Sequence, residues 1–128
     1  MKKITIASLA FMALIGCNSN GTKEEKPAAD TTVVADKTQS PEYQEGLALV
    51  AKNNCFTCHK VDEAFTGPTY RQVAEKYANE PDTIVSHLAK KIISGGSGVW
   101  GQTPMIAHPQ VSQADAEKMA KYVLLLKK

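Results

Sequence analysis

Large side chains are scarce in this chain: one Trp, four Tyr and three Phe among 128 residues. A small domain so poor in them struggles to fill a core by itself, so apolar bulk must come from another source. No basic cluster is interleaved with aromatics, which excludes a nucleic-acid surface. No segment alternates polar and apolar residues with period two, so no sheet is expected. No internal repeat is present. The apolar run Ile4 to Ile15 falls well short of the roughly 20 residues that span a bilayer. Cysteine is limited to Cys17, Cys55 and Cys58.

Two of those cysteines stand in the strongest signal of the chain, Cys55-Phe56-Thr57-Cys58-His59. This C-x-x-C-H spacing is that of covalent c-type haem attachment. Two thiols three positions apart can each add to one vinyl group of a single porphyrin. The imidazole that follows is then brought under the iron. A thioredoxin-like dithiol would sit in a βαβ context, which the chain lacks. A structural zinc site wants a second Cys/His pair at short spacing, whereas Cys17, His87 and His108 are scattered. One covalent haem c is the expected cofactor, and buried in the domain it supplies the missing bulk.

The N-terminus sets the compartment. Met1-Lys2-Lys3 is a short basic region, and Ile4 to Ile15 has the length of a signal-peptide core. The run ends in Leu14-Ile15-Gly16-Cys17, which resembles a bacterial lipobox. Residues 1–16 are therefore expected to be a lipoprotein signal peptide, with Cys17 lipidated after cleavage. Export suits the haem, because c-type haem is attached outside the bacterial cytoplasm. The expected location is a bacterial membrane, by lipid anchor, facing the periplasm. The chain carries 15 Lys and Arg against 13 Asp and Glu, and loss of Lys2 and Lys3 leaves 13 of each. Net charge thus says nothing about partners.

Asn18 to Gln39 is small and polar apart from Val33-Val34. It cannot bury enough surface to fold, so residues 17–39 read as a lipidated tether with an r.m.s. reach of roughly 25 Å. Residues 40–128 read as one all-α domain of about four helices wrapped around the haem. Ser40 is a candidate N-cap with Pro41 at the first helical position. Tyr43, Leu47, Val50 and Ala51 recur at helical spacing, so a first helix delivers the haem motif at its C-terminal end. A loop follows from Lys60 to Pro68. A second helix covers about residues 69–78, with Tyr70, Val73, Ala74 and Tyr77 in register. Ile84, Val85, Leu88 and Ile92 give a third helix its apolar face, ended by Ser94-Gly95-Gly96. Residues 95–111, rich in Gly and Pro, are expected to be irregular. Ser112 and Asp115 resemble a capping box, and Ala116, Met119, Ala120, Val123 and Leu126 face inward on a last helix.

A haem held by His59 alone would be open to gases and peroxide, whereas a sixth protein ligand closes the iron and favours electron transfer. The candidates are Met105, Met119, His87 and His108. Met119 fits a helical core position. His87 falls on a predicted helix facing solvent, and His108 near the surface beside the loop. Met105 has a soft thioether on an irregular loop, stiffened by Pro104, and is the expected ligand.

Cys55-x-x-Cys58-His59, then Gly67-Pro68-Thr69-Tyr70, then Gly98-Val99-Trp100-Gly101-Gln102-Thr103-Pro104-Met105, then a closing helix, occur in unbroken order over residues 41–128. This run resembles the small bacterial monohaem class I cytochromes c of the c-551/c-552 type. The resemblance implies that the Pro68 carbonyl accepts the free ring N–H of His59 and that the Trp100 indole bonds a haem propionate. It implies a cation near the propionates at Lys91, where relatives often carry Arg; Lys90-Lys91 equally reads as a solvated helix face. For Trp100 and Tyr70, packing in the haem pocket is the alternative to a hydrogen bond. The function implied is one-electron transfer in a respiratory chain, not enzymatic turnover, by a monomer docking through its haem edge. Ile106 and Ala107 would then form a small apolar contact centre rimmed by Lys. Donor and acceptor stay open among a quinol-oxidising complex, a terminal oxidase, a nitrite reductase and a peroxidase. The rival readings are a haem sensor or weak peroxidase with a labile sixth ligand, and a haem subunit of a larger respiratory complex.

Overall fold

A computed structural model describes residues 36–128. The expected signal peptide, Cys17 and most of the tether lie outside the described residues. Helix α1 spans Pro41–Lys52, α2 Tyr70–Lys76, α3 Thr83–Ser94 and α4 Gln113–Leu125, with short strands β1 (Gly96–Gly98) and β2 (Gly101–Met105) between α3 and α4.

The helix ends follow from local chemistry. Ser40 Oγ accepts the Tyr43 N–H at 3.2 Å, Pro41 opens α1, and Glu42 and Lys52 complement the helix dipole at its two ends. Thr69 and Gln72 close a reciprocal capping box on α2, with bonds of 2.9 and 3.0 Å. At α4 only half of the expected box forms: Ser112 Oγ accepts the Asp115 N–H at 3.1 Å. The domain also begins earlier than Ser40, since Asp36 caps a 3-10 turn at Lys37–Gln39 and Gln44 donates to the Thr38 carbonyl.

Helix α4 is the central element, packed against α1, α2 and α3. Ala116, Met119, Ala120 and Val123 are buried as their spacing predicts, together with Tyr122. Val50, Tyr70, Ala89 and Val111 complete the core. Ala51 is exposed, because the inward stripe of α1 runs through Gly46 and Val50 instead. Gly46 sets the spacing of α1 and α4. A Cβ there would overlap the Tyr122 side chain and lie 2.6 Å from the Lys118 carbonyl oxygen. Three of the tyrosines form one chain of edge-to-face contacts: Tyr43 to Tyr122 at 5.0 Å and Tyr122 to Tyr70 at 6.2 Å. Burial pushes the Tyr122 phenol up to about 12 and the Tyr70 phenol up as well, so both are neutral at physiological pH.

The Lys60–Pro68 loop is tied down by Arg71. Its guanidinium makes a forked bond to Asp62 and a further bond to the Leu126 carbonyl at the end of α4. The Arg71 bond holds the Asp62 carboxyl below its ordinary 3.8. A depressed carboxylate stabilises the fold above its unfolded pKa, and that contribution is lost as pH falls through the lower folded value. Asp62→Asn is therefore expected to lower the denaturation midpoint at pH 7, with the gap to wild type closing below about pH 3.8. Urea titrations of both proteins at pH 7 and at acid pH check this.

The expectation of no sheet is corrected. Gly96 pairs with Met105 and Gly98 with Gly101 in a short antiparallel hairpin, with a register irregularity between Gly96 and Gly98. Three of its glycines, Gly96, Gly98 and Gly101, take positive φ, which side chains disfavour. Glycine, not apolar alternation, makes the hairpin, so a search for period two misses it.

Candidate functional site

At the C-terminal end of α1, Asn54 adopts a left-handed conformation with φ 56°, which Asn tolerates better than most residues. The chain turns there into a 3-10 helix at Cys55–Thr57, and the His59 N–H bonds back to the Cys55 carbonyl at 3.0 Å. The motif is thereby folded on itself directly beyond a helix packed on α4. Both thiols are free, and burial raises the pKa of Cys55.

The loop after the motif closes against it. The Gly67 N–H donates to the Cys58 carbonyl at 2.9 Å, and His59 Nδ1 lies 2.8 Å from the Pro68 carbonyl oxygen. A carbonyl only accepts, so Nδ1 carries the proton and Nε2 keeps its lone pair in the neutral ring. Tyr70 stacks on the imidazole with centroids 5.4 Å apart and planes 15° from parallel. Gly67 belongs to this arrangement for a steric reason: a Cβ there would lie 2.7 Å from His59 Nδ1 and overlap the ring. The Gly-Pro dipeptide reads in sequence simply as a loop, so the close approach of Gly67 was not legible from it.

These residues line a cavity of about 530 Å³. That is the size of a small-molecule or cofactor site, roughly 300–1,000 Å³. Its walls are largely apolar, with Val50, Leu88, Ile92, Met119 and Val123 among them. Cys55, Cys58, His59 and Pro68 face it from the motif side of the sequence, and Met105, Trp100 and Lys91 from the hairpin and the end of α3. The residues picked out from sequence within 36–128 are thus brought together around one space. Lys91 and Trp100 are also exposed, Trp100 by 44%. Met119 lines the wall as a buried core residue, as expected for a helical methionine. His87, exposed, and His108, half-buried with its N–H bonded to the Ile92 and Ile93 carbonyls, line the same cavity as Met105 and Met119, so all four candidate sixth ligands border it. Among the described residues, no group of three or more His, Cys, Asp or Glu is placed to hold a bare metal ion.

Two free thiols, one imidazole nitrogen with an available lone pair, and an apolar enclosure of this size fit a porphyrin attached through Cys55 and Cys58. Residues 43–127 match the family model for cytochrome c. The chain belongs to the cytochrome c family. It is 47% identical to cytochrome c-552 of Nitrosomonas europaea over 84 residues, covering 66% of this chain and 81% of that protein. With cytochrome c-551 of Azotobacter vinelandii it shares 42% identity over 81 residues, 63% of this chain and 96% of the relative. The crystal structure of the Nitrosomonas europaea cytochrome c552 superposes with a TM-score of 0.59, covering 63% of this chain and 99% of that one. The protein is a small monohaem cytochrome c of the c-551/c-552 type, with haem c as its cofactor, and it transfers electrons rather than catalysing a reaction.

Proposed function

We propose that this cytochrome is a membrane-tethered one-electron carrier of a respiratory chain, with His59 and Met105 as the axial ligands of its iron. The observation that carries the reading is the meeting of Cys55, Cys58, His59 and Met105 around one apolar cavity. The haem, when bound, supplies a ferrous/ferric couple, and the chain's residues decide how that couple behaves. His59 presents Nε2, its tautomer and angle set by the Pro68 carbonyl and the Tyr70 ring. Met105 supplies a thioether, which favours the softer ferrous state and raises the potential relative to a second imidazole. The apolar walls disfavour the extra charge of the ferric state and act in the same direction. Trp100 and Lys91, placed at the rim, serve the haem propionates.

An optically followed redox titration tests this. It is expected to give a one-electron Nernst curve, with an Fe–S charge-transfer band in the oxidised form. A ferric protein without that band would refute Met105 ligation.

The tether rests on the lipobox-like Leu14-Ile15-Gly16-Cys17. No described helix is long and apolar enough to cross a membrane. Cys17→Ser is expected to move the protein from the membrane fraction to the soluble fraction with an unchanged haem spectrum, as fractionation of expressing cells would show. Redox partners are of the kinds that dock briefly at a haem edge: a quinol-oxidising complex on the donor side, and an oxidase, nitrite reductase or peroxidase on the acceptor side.

A further inference from the structure

The β1–β2 hairpin carries both Trp100 and Met105, yet it has little side-chain packing of its own to hold it. Three of its residues, Gly96, Gly98 and Gly101, have no side chain and take positive φ, so few side chains of the hairpin are available to anchor it. The base of the hairpin is fixed. The Gly95 N–H donates to the Lys91 carbonyl at 2.8 Å, and the His108 N–H reaches the Ile93 carbonyl at 3.1 Å. The tip is different, with Val99 58% and Trp100 44% exposed.

A cation reaches that tip from the last turn of α2. Lys76 Nζ lies 5.6 Å from the centroid of the Trp100 ring and 5.9 Å from that of Tyr77. Within about 6 Å the negative face of an aromatic ring attracts an ammonium, and Trp does so most strongly. Lys76 takes part in none of the ion pairs among the described residues, so no carboxylate neutralises it there. Both rings line the cavity.

We propose that Lys76 is a positioning residue whose ammonium, seated on the Trp100 ring, pins the hairpin tip to the end of α2 and places a positive charge beside the haem. The inference rests on the haem-binding reading above. It gives Lys76 two effects. The contact restrains Trp100, and therefore the strand that ends in Met105. The charge favours the less positive, reduced state of the cofactor, through a field that salt screens. Arginine keeps the charge and stacks on aromatic rings, so it preserves both effects.

The test uses the full-length holoprotein, with Lys76→Met and Lys76→Arg. The Fe–S charge-transfer band is recorded first in wild type, because its absence would sink the ligation reading itself. In Lys76→Met with the band intact, hydrogen exchange at the Trp100 indole N–H, followed by NMR, is expected to speed up roughly two- to fivefold, the ratio set by losing one surface cation–π contact. The potential at low salt is expected to fall, with the gap to wild type shrinking at 1 M salt, where the screening length is about 3 Å. Lys76→Arg is expected to retain both wild-type values. A Lys76→Met protein whose Trp100 exchange rate or low-salt potential equals that of wild type would overturn the proposal.

Discussion

Met105→Ala is expected to yield a protein that keeps its haem and loses its identity as a closed electron carrier. Retention follows from attachment through Cys55 and Cys58, which the substitution does not touch. The fold should survive too, because Met105 ends β2 and is not among the residues of the buried core cluster that includes Val50, Met119 and Tyr122. With Met105 as the proposed sixth ligand, the iron would lose its soft donor. The Fe–S charge-transfer band should vanish, and the ferrous form should bind carbon monoxide quickly. The potential should drop by something on the order of 0.1 V, a fraction of the roughly 0.8 V over which axial ligation tunes haem. Optical spectra and a redox titration of the variant measure all three. Persistence of the band in Met105→Ala would mean that another residue supplies the sulfur, and Met119 would be the first suspect, since it lines the same cavity.

The second large effect involves Gly46 and Tyr122, neither of which lines the cavity. Gly46→Ala is expected to destabilise the fold despite improving the local helix. Replacing a helical Gly by Ala gains about 1 kcal/mol in propensity. Against this, the added methyl would lie 2.6 Å from the Lys118 carbonyl oxygen and overlap the Tyr122 side chain. Both obstacles are on α4, and neither is a flexible tip that can swing aside. Overpacking of this kind costs about 1–3 kcal/mol, occasionally more, so the clash outweighs the propensity gain. Moving α1 off α4 would also loosen the Tyr43–Tyr122 contact and the helix end that carries Cys55. The expected results are a lower urea midpoint and a poorer yield of holoprotein. A midpoint at or above that of wild type would show that the two helices adjust at little cost.

What the sequence made legible, and what it hid, divides along a physical line. Ser40, Pro41 and Ser112 announce helix starts because capping is a local interaction between neighbours in the chain. The C-x-x-C-H motif specifies its cofactor because two thiols and an imidazole must meet one porphyrin within five residues. Met105 stood out by its setting in a Gly/Pro segment. The hairpin around it did not, because its strands are held by glycine backbone rather than by alternating side chains. The remaining hidden features are contacts between distant parts of the chain. Gly46 matters through Tyr122, Arg71 through Leu126, and Lys76 through Trp100. None repeats with a helical or strand period, so no pattern in the sequence announces them. The role of Gly67 is intermediate: it lies next to Pro68, yet the reason a side chain is excluded is the His59 ring eight residues back in the chain, visible only once the loop has closed.

The arrangement also explains how so few aromatics suffice. Tyr43, Tyr122 and Tyr70 form one continuous line of edge contacts that ends by stacking on His59. The imidazole is thus held on one side by the core itself and at its Nδ1 by the Pro68 carbonyl. As the proposed iron ligand, an imidazole fixed in two ways would lose little freedom when the iron changes charge, and small rearrangement is what fast electron transfer requires.

His59 and Met105 are proposed to fill both axial positions of the iron. The most direct measurement is the rate of carbon monoxide binding to the ferrous wild-type protein, followed by stopped-flow absorbance. Binding is expected to be slow or incomplete, limited by departure of Met105. Rapid, stoichiometric binding would show an open iron and contradict it.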